Sequence, residues 1–267
     1  MLLARFWVRQ TGRALTADGE EFDLTLRGCS NESIEAAQEA AHEKIRRLGA
    51  VIEAGGRPAK DYLYGDRPMP EPILEEFHDG GAELMAAITR NSFGCDVLNT
   101  QDLLFADIDR EDTSAASEQS SVARIQQIVS ANGLSARAYR TAAGYRVLVT
   151  SARFEPGSAA SELLMKQFDS DALYMRLCRI QKSFRARLTP KPWRCGSRKL
   201  KVGFPFTGPY DQERFNEWET EYNEKSAHFA TCRFLGEFGN PVADGIIQSL
   251  VTVHDTRTKA MSGLPLA

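Results

Sequence analysis

The chain has 267 residues, 42% of them apolar and 26% charged, with a formal net charge of -3. This length and apolar content suffice for a packed core in one large or two small domains and exclude wholesale disorder. No run approaches the roughly 18 apolar residues of a membrane span, and five cysteines without a C-x-x-C pair argue against a disulfide framework. Because Met1-Leu2-Leu3-Ala4-Arg5 turns charged too soon for a secretory signal, the expected setting is cytoplasmic, away from membranes.

In chain order, Leu3 to Arg9 and Glu21 to Leu26 predict two strands around the turn-rich Thr16-Ala17-Asp18-Gly19. Ser30 or Asn31 then caps a predicted helix with Ile34, Ala37, Ala41, Ile45 and Leu48 at helical spacing and Gly49 as its stop. Gly55 to Pro72 reads as a loop, followed by short helices near Ile73 to Phe77 and Ala82 to Ile88. Val97-Leu98-Asn99 and Leu103 to Asp109 read as extended, the second passing from apolar residues into carboxylates. A helix carrying Val122, Ile125, Ile128 and Val129 follows and ends at Asn132-Gly133. Ala136 to Thr141 and Tyr145 to Thr150 then form a hairpin about Ala142-Ala143-Gly144.

Past Pro156-Gly157-Ser158, a helix near Ala159 to Gln167 precedes a basic one whose predicted seam is Leu173, Leu177, Ile180 and Phe184, ended by Pro190 and Pro192. Gly196 to Pro209 reads as a cationic loop. The tail is read as helical, with a core stripe of Phe215, Trp218, Tyr222 and Phe229 and a last amphipathic helix from Ile246 to about Lys259. The pattern predicts an α+β fold: an RRM-like, primase-like antiparallel sheet with packed helices and a helical C-terminal part. The expected parts are residues 1–95, 96–210 and 211–267, forming one compact unit.

Ten of the 33 cations lie between Ala172 and Tyr210, where no Asp or Glu occurs, so the remainder of the chain is acidic. Arg176, Arg179, Lys182, Arg185, Arg187, Arg194 and Arg198 are therefore candidates for phosphate contacts, because the arginine fork suits bidentate binding. Trp193, between Pro192 and Arg194, is the candidate for stacking on an unpaired base. The alternative for the same cations is a solvated face paired with acids of the same chain.

The sharpest local pattern is Asp107-Ile108-Asp109. Residues i and i+2 of a strand share a face, so both carboxylates aim at one point, where hard oxygen ligands suit Mg²⁺ or Mn²⁺. A hydrophobic strand ending in Asp-Ile-Asp, a helix of some four turns, Asn-Gly-Leu and then Tyr-Arg-Thr-Ala-Ala-Gly-Tyr-Arg-Val-Leu-Val resembles the archaeo-eukaryotic primase (primase-polymerase) superfamily over roughly residues 103–149. That resemblance implies metal ligation by Asp107 and Asp109, which would be the catalytic acids. It also places Thr141, Gly144 and Arg146 by the nucleotide phosphates. Arg146 stands where the family pattern has histidine. The family's third acid is not obvious, with Asp169, Asp171, Glu111 and Asp112 as candidates.

The expected function is accordingly a metal-dependent nucleotidyltransferase of primase-polymerase type, acting on nucleic acid and nucleoside triphosphates. The alternatives are a catalytically degenerate nucleic-acid or nucleotide binder and an interaction subunit of a larger assembly. A zinc site from His228, Cys232, Cys178 and Cys195 lacks a second close pair. His254-Asp255 resembles half of a triad but has no nucleophile elbow beside it.

Overall fold

The computed structural model describes residues 1–56, 68–112, 114–240 and 244–267. Strands β1 (Phe6–Leu15) and β2 (Glu21–Ser30) pair antiparallel around the expected turn, and both run further than the sequence suggested. Helix α1 (Ile34–Glu53) is capped by Ser33, whose hydroxyl accepts from the Ala36 N–H at 3.1 Å. Gly49 is no stop: it is buried inside α1 beside Ala14, so the helix continues another turn. Helix and hairpin meet at Gly28, where an added Cβ would lie 1.9 Å from the Ala37 carbonyl oxygen. Part of the expected loop from Gly55 to Pro72 lies outside the described residues.

The two short helices expected next are strands. β3 (Ile73–His78) and β4 (Leu84–Arg90) pair antiparallel, and β4 pairs onward with β5 (Asp96–Thr100) through the turn at 91–95. Met85 to Thr89 are all buried, so this run follows the rule for strands covered on both faces rather than local helix propensity. The fourth strand of this sheet, β9 (Phe184–Arg187), comes late in the sequence and pairs antiparallel with β5.

The second sheet is built from β6 (Phe105–Asp109), β7 (Ala136–Thr141), β8 (Gly144–Val149) and β10 (Cys232–Phe238), in the order β10-β7-β8-β6 with every pair antiparallel. The α+β class is thus as expected. The C-terminal part is not wholly helical, because β10 forms an edge of this central sheet. Helices α2 (Ala115–Ala131), α3 (Ala159–Gln167), α4 (Ala172–Gln181), α5 (Pro209–Ser226) and α6 (Gly245–Thr258) complete the chain. None of the helices in the described residues is long and apolar enough to cross a membrane.

The basic helix is shorter than predicted. It stops at Gln181 because Lys182 adopts a left-handed conformation (φ 48°), and Phe184 belongs to β9. Leu173 is 67% exposed, so the face that packs is carried by Cys178 and Gln181 instead.

Side chains, rather than a backbone ladder, join the two sheets where β6 and β9 face each other. The Tyr174 hydroxyl lies 3.2 Å from the Phe105 carbonyl and 3.0 Å from that of Arg185, and accepts from the Arg185 N–H at 3.3 Å. The Asp107 carbonyl accepts from the Ser170 hydroxyl and the Asp171 N–H, both at 2.9 Å. The polar groups along the β6 edge thus find partners, as buried backbone must.

Candidate functional site

Strand register sets the site. Phe234, Tyr139, Arg146 and Asp107 are successive partners across β10, β7, β8 and β6, and therefore form one row on one face. A second row, one step toward the strand ends, runs Cys232, Thr141, Gly144 and Asp109. Gly144 lets the strands close up there, since a Cβ on it would fall 1.9 Å from the Ile108 carbonyl oxygen. The i, i+2 prediction for Asp107 and Asp109 holds, and both carboxylates line one cleft of about 580 Å³.

Thr141, Arg146, Arg187 and Arg194 line the same cleft, with Arg110, Glu111, Ala143, Tyr145 and Lys191. Sequence reasoning missed Lys191 as a site residue. Its signal was the spacing Arg187, Lys191, Arg194, which marks one side of the segment.

Arg146 is 1% exposed and is held from three directions. Its Nε donates to Asp107 Oδ1 at 3.0 Å, and its Nη1 donates to the Arg187 carbonyl at 2.9 Å. The same Nη1 lies 3.4 Å from His254 Nε2 on α6. With Nε2 accepting, the His254 proton sits on Nδ1 and is donated to Asp255 at 3.0 Å. Burial pushes the His254 pKa below its ordinary value, Asp255 opposes that shift, and Arg146 adds to it, so the ring is neutral. Burial also opposes the charge of Arg146, but Asp107 offsets this and the guanidinium pKa ends up raised. The His254-Asp255 pair is therefore a strut under Arg146 and not half of a hydrolytic triad.

The later strand flanking β6 brings a cation to the cleft, not a carboxylate. Burial and the neighbouring Arg146 push the Arg187 pKa down, and its Nε is buried with no hydrogen-bond partner among the described residues. Lys191 is pushed down by burial and then by Arg187 and Arg194. Arg187, Lys191 and Arg194 are thus gathered in the same cleft as Asp107 and Asp109.

The four candidates for a third acid separate clearly. Glu111 lines the cleft. Asp169 pairs with Arg110 at 2.9 Å, Asp171 caps α4 by accepting from the Tyr174 N–H, and Asp112 accepts from the Ser114 N–H and hydroxyl. Among the described residues no group of three or more His, Cys, Asp or Glu is arranged to hold a metal. Two carboxylates on one strand face nonetheless fit an ion of Mg²⁺ type, which commonly takes one or two protein carboxylates and completes its shell with phosphate oxygens and water.

The remaining predicted contacts disperse. Arg185 is buried against Glu71, with Nη2 2.8 Å from both carboxylate oxygens, and is not a surface contact. Arg176 and Arg179 line a separate hollow with Glu162 and Asp169, and Arg179 pairs with Glu162 at 3.0 Å. Lys182 lies beside Met1 in another hollow, and Arg198 pairs with Glu221. His228 follows the end of α5 while Cys232 lies on β10, so they share no helix face. No known protein family, curated protein or solved structure matches the chain.

Proposed function

We propose that the cleft binds a nucleoside triphosphate together with a nucleic-acid strand and carries out nucleotidyl transfer of primase-polymerase type. The observation that carries this reading is the presence of two strand-borne carboxylates and a cluster of cations in one cleft of about 580 Å³, a volume typical of small-molecule sites. Arg187, Lys191 and Arg194 bind the triphosphate oxygens, and the unpartnered Arg187 Nε supplies a donor with no competing partner among the described residues. Asp107 and Asp109 would hold a divalent ion, which when bound lowers the pKa of an attacking hydroxyl and neutralises developing phosphate charge. Arg146 orients Asp107 from below and keeps one of its oxygens committed. Thr141 and Gly144 shape the floor beside Asp109. Incorporation of labelled nucleotide into a primed template with Mn²⁺ tests the proposal, with Asp109→Asn expected to abolish it. No incorporation by the wild-type chain on any primer would overturn the transfer step.

Binding without transfer is the second reading, and Arg187 favours it. A cation in the same cleft as the acids strengthens polyphosphate binding without a metal but adds nothing to ion coordination. Retention of ATP affinity in excess EDTA supports this second reading over the first.

A further inference from the structure

Phe93 and Trp193 are two aromatic side chains left outside both clusters of buried apolar residues. Phe93 is 48% exposed and Trp193 42% exposed, and their rings meet edge to face with centroids 5.3 Å apart. They come from positions a hundred residues apart in sequence, yet the turn that carries each is anchored by hydrogen bonds. Phe93 sits in the β4–β5 turn, where the Asn91 side chain accepts from the N–H groups of Phe93 and Cys95 at 2.9 and 3.1 Å. Gly94 (φ 86°) presses against Trp218, leaving no room for a Cβ.

Trp193 lies in the short turn Pro192–Arg194, and α5 fixes both sides of that turn. Tyr222 donates its hydroxyl to the Pro190 carbonyl at 2.6 Å, Trp218 Nε1 donates to the Arg198 carbonyl at 2.8 Å, and Lys225 Nζ donates to the Gly196 carbonyl at 2.8 Å. The aromatic stripe of α5 is thus spent on clamping the basic loop. What the clamp leaves outside is the Trp193 ring, with the ammonium groups of Lys191 and Lys199 at 5.6 and 5.4 Å from its centroid.

Lys191 belongs to two places at once. It lines the cleft with Arg187 and Arg194, and it flanks Trp193 outside. The cleft and the aromatic pair are therefore neighbours along one cationic track.

We infer that Phe93 and Trp193 form a stacking platform for the unpaired bases of a single nucleic-acid strand that enters the cleft past Lys191. The proposal rests on the nucleotide reading of the cleft and names the strand the cleft serves. Exposed rings beside ammonium groups match a polymer that alternates π-faces with phosphates. A duplex does not match, because its base faces are already stacked. Long lysine stems exchange a ring contact for a phosphate contact at little cost, so the platform is sequence-tolerant and salt-sensitive.

The test is fluorescence anisotropy with the full chain and a fluorescein-labelled oligothymidylate about 12 nucleotides long. The comparison probes are a duplex of equal length and the same backbone with abasic sites. Calorimetry of ATP binding runs in parallel. Tight binding of oligothymidylate over both comparison probes is expected. Trp193→Ala should weaken oligothymidylate binding about tenfold, as loss of one stacked base implies, Trp193→Phe should retain most of it, and ATP affinity should be unchanged in either variant. Equal affinity for the abasic strand, or no loss in the double variant Trp193→Ala with Phe93→Ala, overturns the platform. Loss of ATP binding in the wild type with stacking intact would count against the cleft alone, so the two failures are distinguishable.

Discussion

Arg146 and Asp107 are partners twice over: they face each other in the β8–β6 register, and Arg146 Nε donates to Asp107 Oδ1 at 3.0 Å. The pair is lopsided, with a guanidinium 1% exposed and a carboxylate 38% exposed. Asp107 therefore has a structural duty besides any at the cleft, whereas no shared ion pair ties down Asp109 among the described residues.

From this asymmetry, Asp107→Asn should lower stability by about 2 kcal/mol, because the buried guanidinium loses its counter-charge while one face of the site stays wet. Asp109→Asn should leave the urea midpoint within experimental error. Equal destabilisation of the two variants in urea titrations would refute this division of labour, and it makes Asp109 the cleaner probe of chemistry.

Arg187→Gln should cut affinity for inorganic pyrophosphate or ATP by at least tenfold, as calorimetry reads it. Melting temperature should stay level or rise, since burial and Arg146 both oppose the charge at this position. A drop in melting temperature with affinity intact would make Arg187 a structural residue instead.

His254 gives a pH dependence with a definite sign. Burial and Arg146 hold its folded pKa below the ordinary value of 6.5, so the unfolded chain takes up the proton first. The stabilisation is complete above about pH 6.5 and declines as pH falls below it, by up to about 1.4 kcal/mol per pH unit. Asp255, also lowered, contributes only at more acidic pH. Unfolding free energies at pH 7.0 and 5.5 should differ in the wild type and much less in His254→Gln.

Arg185 and Glu71 form a buried ion pair to which Thr89 adds a hydrogen bond on Glu71. Arg185→Ala should cost about 3 to 5 kcal/mol through the stranded carboxylate. Nucleic-acid affinity measured on whatever folded fraction remains should match the wild type. A selective loss of binding with full stability would return Arg185 to the surface list.

The strand-helix-hairpin core from Phe105 to Val149 was legible because its apolar periods are strong and Gly144 marks its turn. That Asp107 and Asp109 share a face followed from their i, i+2 spacing, whereas their singling out as candidate acids leaned on the motif order around them. The strands β3 and β4 were not legible, since Glu75-Glu76 and Ala86-Ala87 are good helix formers locally and only burial between neighbours makes them extended. β9 was hidden for a related reason: four residues, two of them arginines, continue a helix-like run, and the left-handed Lys182 that breaks it has no signature in residue type. With β9 unseen, Arg187 could be counted as basic but not assigned to the cleft that Asp107 lines. β10 was lost inside a tail dominated by helical aromatic spacing, which in fact marks α5 alone.

The join between the two sheets has a mechanical consequence. Tyr174 and Arg146 bridge β6 and β9 with a phenol and a guanidinium, so both hydrogen-bonded ladders end intact on either side of the cleft. The spacing of the two sheets at the cleft is therefore set by two side chains, with no described strand paired across it.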